Sequence, residues 1–240
     1  MEHKDEVLRK AQAAMEREAH LDMRACSIHM EFDAGTLTLD GEVPNVGAKR
    51  QALRAATRVA GVVAITDRLR VAAGPVAGDG ETRDAVCRWL LRDIDFQNCA
   101  LHARIKGQRE TLREAGTYPS GSIEVAVAEG VVTLSGQVIS LSHKRLAGVL
   151  AWWAHGCRDV VNELAVVPAE EDSDDEIIDA LRLVLESDPY LHAEQIGIGA
   201  HDGIVTLEGV VASDGERARA EMDAWCLFAV DNVINHLEVR

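Results

Sequence analysis

Three stretches of this chain carry one phrase at one spacing. Residues 35–43 read Gly35-Thr-Leu-Thr-Leu-Asp-Gly41-Glu-Val43, residues 130–138 read Gly130-Val-Val-Thr-Leu-Ser-Gly136-Gln-Val138, and residues 203–211 read Gly203-Ile-Val-Thr-Leu-Glu-Gly209-Val-Val211. A second strand-like phrase opens 26 positions after the first glycine of each, at Gly61, Gly156 and Ala229. A spacing kept three times means that one small fold has been triplicated. The chain is therefore expected to divide into a first repeat over 1–73, a second over 80–168 and a third, acidic one over 173–240.

Each repeat opens on apolar residues at helical spacing: Val7, Leu8, Ala11, Ala14 and Met15; then Ala85, Val86, Trp89, Leu90 and Ile94; then Ile177, Ile178, Leu181, Val184 and Leu185, behind Ser173 and Asp174 as caps. Alternating apolar and polar residues follow, in Ser27–Phe32, Ile123–Val127 and Gln195–Gly199, as in a strand with one buried face. Ala34-Gly35, Glu129-Gly130 and Asp202-Gly203 then read as hairpin turns, because glycine accepts positive φ without strain. Gly41, Gly136 and Gly209, inside the second strand, mark a bulge or a close approach of backbones. A second helix is expected over about 46–60, 142–155 and 214–227, its inward face including Leu53, Ala56 and Val59 in the first repeat. A closing strand then completes a right-handed crossover. The fold class is α+β: three tandem αββαβ modules, each a small three-stranded mixed sheet with two helices on one face.

Two linkers separate the repeats, one flexible by composition over 72–80 and one acidic over 168–176. The second repeat also carries an insertion over about 97–120, and long insertions in compact units are usually functional or disordered.

Composition restricts function. No apolar run is long enough to span a membrane, and Met1–Glu6 lacks the apolar segment of a secretory signal, so a cytoplasmic location is expected. Five cysteines without a C-x-x-C pair suit a reducing compartment and the role of small buried hydrophobes. The charge is concentrated: residues 170–240 hold 4 basic and 18 acidic residues, net −14 of the whole chain's −15. That potential repels nucleic acid, which is not expected as a partner.

Catalytic motifs are missing as well. The chain has no P-loop, no G-x-S-x-G and no H-E-x-x-H. Gly197-Ile-Gly199-Ala-His-Asp-Gly203 has its third glycine one place too late for a dinucleotide fingerprint. His29 and His201 are isolated, and the acidic run Glu170–Glu176 lacks the order of a calcium loop; it reads as a solvated linker whose last carboxylates favour a helix N-terminus. Trp152-Trp153, on the second helix of the second repeat, point about 100° apart. One is expected to pack inside and the other to cover a neighbouring repeat or a partner.

The succession of helix, Gly-Val-Val-Thr-Leu-Ser-Gly hairpin, helix and Gly156-Cys-Arg-Asp-Val-Val-Asn-Glu-Leu resembles the BON (bacterial OsmY and nodulation) domain over almost the whole chain. The resemblance departs at Ala229, where the family has glycine and the turn is expected to differ, and at the insertion. It implies non-catalytic modules linked to phospholipid attachment, osmotic stress and, in one case, potassium. It implies no catalytic, cofactor or metal residue. Gly35, Gly41, Gly61, Gly130, Gly136, Gly156, Gly203 and Gly209 are structural under this reading, and Trp152 and Trp153 are interface candidates.

The leading expectation is a non-enzymatic, stress-related binding or scaffold protein whose partner is a protein surface or a phospholipid headgroup. A potassium sensor and a hydrolase using the insertion are the alternatives, and self-association stays open.

Overall fold

The computed structural model describes residues 2–18, 21–72, 74 and 77–240. Residues 73, 75 and 76 of the expected flexible linker, and Met1, lie outside the described residues. The chain forms two compact units, Met1–Ala72 and Ala73–Arg240.

The first unit runs α1 (Glu2–Met15), β1 (Ser27–Asp33), β2 (Thr36–Val43), α2 (Val46–Thr57) and β3 (Ala64–Val71). Strand β2 is central, antiparallel to β1 and parallel to β3. Both helices meet one face of this sheet. Val7, Ala11 and Met15 of α1 and Ala48, Ala52 and Ala55 of α2 share a core with Leu37, Leu39 and Leu69. The face of α2 in this core carries small side chains, and Leu53, expected to face inward, is only partly buried.

The second unit holds the other two repeats. It runs α3 (Asp79–Arg92), β4 (Cys99–Ile105), β5 (Gln108–Arg113), β6 (Gly121–Ala128), β7 (Val131–Val138), α4 (Leu141–Trp152), β8 (Asp159–Asn162) and β9 (Ala165–Val166). It continues through α5 (Asp174–Ser187), a single 3-10 turn (Ala193–Gln195), β10 (Ile196–His201), β11 (Ile204–Val211), α6 (Asp214–Cys226) and β12 (Asn232–Val239). The sheet β10-β11-β12 repeats the order of the first unit. The middle sheet corrects the three-stranded expectation: it has six strands, in the path β5-β4-β6-β7-β8 with β9 on β7. The insertion is neither a loop nor disordered but a hairpin, whose β4 adds parallel to β6. Ile94, expected on the first helix, lies beyond its end and is 73% exposed.

The hairpin turns share one backbone. Ala34-Gly35, Glu129-Gly130 and Asp202-Gly203 all have positive φ at both positions, as in a type I′ turn, whose twist matches that of the strands it joins. Lys106-Gly107 does the same in the inserted hairpin. The first glycine of each phrase then accepts, through its carbonyl, an N–H from Val63, Arg158 or Asp231 at 2.8 Å, so each turn anchors the start of the closing strand. That strand is tied to the second helix by one residue per repeat. Asp67 pairs with buried Lys49 Nζ at 3.0 Å, while Asn162 and Asn235 donate through Nδ2 to the carbonyls of Lys144 and Arg217 at 2.7 and 3.1 Å.

Antiparallel pairing runs without a register shift across Gly41 and Gly136, and parallel pairing with β12 does so across Gly209, so these glycines mark close backbone approach and not a bulge. The turn at Ala229 is also not built differently: at φ 68° it adopts the left-handed conformation of Gly61 (97°) and Gly156 (82°). An alanine there carries strain of about 1 kcal/mol. Ala229→Gly is therefore expected to stabilise the second unit by up to that amount, as a raised midpoint in urea unfolding; a lowered midpoint would contradict the assignment.

Candidate functional site

Residues 85, 88, 89 and 92 recur at i, i+3, i+4 and i+7, so α3 presents Ala85, Arg88, Trp89 and Arg92 as one stripe. This stripe faces Trp153, which caps the C-terminal end of α4, and His155 beyond it. Together they line a groove of about 270 Å3. The two indoles meet edge to face, with centroids 5.2 Å apart and planes at 71°. Arg88, Arg92 and His155 are exposed, no carboxylate lines the groove, and neither guanidinium has an ion-pair partner among the described residues. In a chain of net charge −15, this is an isolated cationic and aromatic surface.

The third repeat holds Trp153 from behind. Its indole Nε1 donates to Asp223 Oδ1 at 2.8 Å, and Arg219 lies over its ring at 6.0 Å. Arg219 also pairs with buried Asp188 and lies 4.6 Å over Tyr190. Burial, and then the charge of Asp188, push the Asp223 carboxyl up to about 8. The native state thus keeps a proton that the unfolded chain releases near pH 4, so this group's contribution is full below about pH 4 and is lost as pH rises through about 8. The slope in that window is at most about 1.4 kcal/mol per pH unit. Asp223→Asn keeps an acceptor for Trp153 and removes the titration. Its melting temperature is expected to vary less than that of the wild type between pH 5 and 8, and parallel profiles would refute the retained proton on Asp223.

Arg145 of α4 forms a second tie. Its side chain is fully buried, pairs with Asp172 at 2.5 Å, donates through Nε to the Phe228 carbonyl at 3.4 Å and lies 4.6 Å over the Phe228 ring. Glu170 accepts from the Leu141 N–H at 2.7 Å, at the start of α4. The acidic linker is therefore not simply solvated, because two of its carboxylates staple it to α4.

A third device grips the turns. Asp79 accepts from the N–H groups of Glu129 and Gly130 at 3.0 and 2.9 Å, and Asp174 accepts from those of Asp202 and Gly203 at 3.1 and 3.5 Å. Ser173 is the N-cap of α5, so Asp174 is a clamp and not a cap. Asp174, His201 and Asp202 lie close enough to hold a cation, with ligand atoms within 4.8 Å of one another. The Asp174 oxygens are already committed to the turn, which accounts for the cluster without an ion.

The sheet face away from the helices is polar in the second repeat. Glu124 pairs with Arg104 and Arg109 at 2.5 and 3.6 Å, and His102 Nδ1 meets Thr111 Oγ1 at 3.0 Å. Desolvation pushes the Cys87 and Cys99 thiols up to about 11, so they stay protonated and unreactive. Gly35, Gly130 and Gly203 sit in the turns and Gly61 and Gly156 after the second helices, so the structure gathers none of them into one site. Trp152 is half-buried and takes no part in the Trp89–Trp153 pair.

The BON domain model matches residues 3–73, 108–168 and 173–240. The chain belongs to the BON domain family. The second match begins inside the β4–β5 hairpin, leaving α3 and its groove residues before it. Among curated relatives, the BON repeats are 29% identical over 151 residues to osmotically-inducible protein Y of Escherichia coli K12, covering 60% of this chain and 74% of that protein. Two structures of CdsD, a structural protein of the Chlamydia trachomatis type III secretion system, also match. The first, its C-terminal domain, is 12% identical with a TM-score of 0.24, covering 98% of this chain and 97% of that one. The second is 13% identical with a TM-score of 0.25, covering 98% and 92%.

Sequence reasoning missed Arg88, Arg92, Arg145, Asp188 and Asp223. Arg145 had a signal, being a lone cation on an apolar helix face with an acidic run 25 to 31 residues later. Asp188 and Asp223 had none, since only the packing of α4, α5 and α6 brings them to Trp153. Among the described residues, no helix is long and apolar enough to cross a membrane.

Proposed function

We propose that the chain is a non-enzymatic binding and scaffold protein of stress physiology, whose second unit engages a protein surface or a lipid headgroup. The observation that carries this reading is the groove at Trp89 and Trp153, where two indoles lie beside guanidinium groups that no carboxylate of the groove neutralises. Such surfaces bind through aromatic contact area and charge complementarity. The likeness to an osmotically inducible protein supports the stress setting. That none of the five cysteines is joined in a disulfide supports a reducing, cytoplasmic compartment.

Two assays test this together: flotation with vesicles of defined headgroup, and pull-down from stressed cells of the host. Recovery of one lipid class or one defined protein, reduced in Trp89→Ala, is expected. Recovery of neither, or recovery indifferent to Trp89, would overturn the reading.

A further inference from the structure

Resting on that reading, we propose that the Trp89–Trp153 groove is a docking site for an acidic amphipathic helix. The third repeat shows what this cleft accepts. In each repeat the cleft lies between the first helix and the residues just before the left-handed turn, so Phe228, before Ala229, is the counterpart of His155, before Gly156. In the third repeat the cleft is filled: α4 packs against α5 and α6, with Arg145 4.6 Å and Lys144 5.6 Å from the centre of the Phe228 ring. A basic helix face thus sits over an aromatic residue in the acidic repeat. The second repeat presents the same cleft with the opposite charge, lined by Arg88 and Arg92, and uncovered.

Charge sets the sign of the occupant. Carboxylates at helical spacing would reach Arg88 and Arg92 while an apolar side chain contacts the indoles. A flat anionic membrane fits less well. Trp153 is bonded to Asp223, so the groove adjoins a repeat of net charge −14, and an extended anionic surface would approach that repeat as well. A single helix engages the groove alone. The matching recess of the first repeat, about 440 Å3, has Ala14 in place of Trp89 and Arg58 in place of Trp153, and Glu6 in its lining and the Arg58–Glu18 pair at 4.0 Å offset its cations, so it lacks both the indole contact area and the uncompensated charge.

The test uses the full chain and a fluorescein-labelled helical peptide of about four turns. Leucines are placed at i, i+3, i+4 and i+7 and glutamates flank them; a control peptide carries glutamine for every glutamate, and vesicles of anionic and zwitterionic lipid form a separate arm. Fluorescence anisotropy is expected to show saturable binding of the glutamate peptide, weakened about tenfold or more by the glutamine control and by the double variant Arg88→Glu/Arg92→Glu. Both arginines are exposed, so the variant should keep the wild-type melting temperature, and Trp89→Ala provides a second, uncharged test. Equal binding of the two peptides, or no effect of either variant, overturns the proposal. Capture of anionic vesicles without the peptide overturns it in favour of a membrane. In these cases a partner recovered by pull-down would still leave the broader binding function standing, whereas loss of every ligand would remove both.

Discussion

Asp172→Ala is expected to destabilise the second unit by about 3 kcal/mol, and Arg145→Met by much less or not at all. The asymmetry follows from burial. The Arg145 side chain is fully buried and that of Asp172 is 46% exposed. Removing the carboxylate strands a guanidinium in the junction between two repeats, and an unpaired buried charge costs about 3–5 kcal/mol. Removing the guanidinium instead frees Asp172 to be solvated where it stands, while methionine fills the space under Phe228. Replacing a buried ion pair's charge by apolar volume is often neutral or stabilising. Urea unfolding of the two variants measures this directly. Equal losses, or a larger loss for Arg145→Met, would show that the attraction itself, and not the burial of the cation, holds the junction.

Gly136→Ala is expected to cost more than any surface substitution in the chain. At φ 122° an L side chain is strained, and a Cβ would lie 2.0 Å from the carbonyl oxygen of Ser122 on β6. Strain of about 1–3 kcal/mol adds to an overpacking cost of similar size, so a loss of about 4 kcal/mol is expected. Gly41 and Gly209 have the same geometry, at 1.8 Å from Ser27 and 2.1 Å from Gln195. Gly197→Ala is the matched control, because its nearest neighbour, the Glu208 carbonyl, is 3.5 Å away. Circular dichroism with thermal melting of the pair should show a large drop for Gly136→Ala and little change for Gly197→Ala. Similar small drops would mean that the strands separate at little cost.

The modules were legible because their signals are local. Acidic-Gly turns, alternation in the hairpins and helical periodicity each lie within a dozen residues, and the threefold repeat made each reading corroborate the others. The inserted hairpin was missed although Lys106-Gly107 has the same turn chemistry as Glu129-Gly130. Its strands hide the alternation: all of Cys99–Ala103 is buried in the interior of the wider sheet, while β5 is mostly exposed at the edge. The linker was misread because its composition reports solubility and not the positions of Arg145 and the α4 N-terminus. The groove needed tertiary structure. Trp89 and Trp153 are 64 residues apart, and only the antiparallel packing of the repeat's two helices turns a stripe on α3 and the end of α4 into one surface. Trp152-Trp153 drew notice as a pair, yet the partner that matters to Trp153 is Trp89.

The central claim is that this groove is the working surface of the chain. The most direct measurement is the indole N–H region of the amide correlation spectrum, recorded while the acidic helical peptide is added. The four tryptophans give four separate reporters. Trp89 and Trp153 are predicted to shift together and saturate with the peptide, while Trp225, buried to 4% exposure in α6, stays in place. Shifts confined to Trp152 or Trp225, or a spectrum unmoved at saturating peptide, would contradict the account.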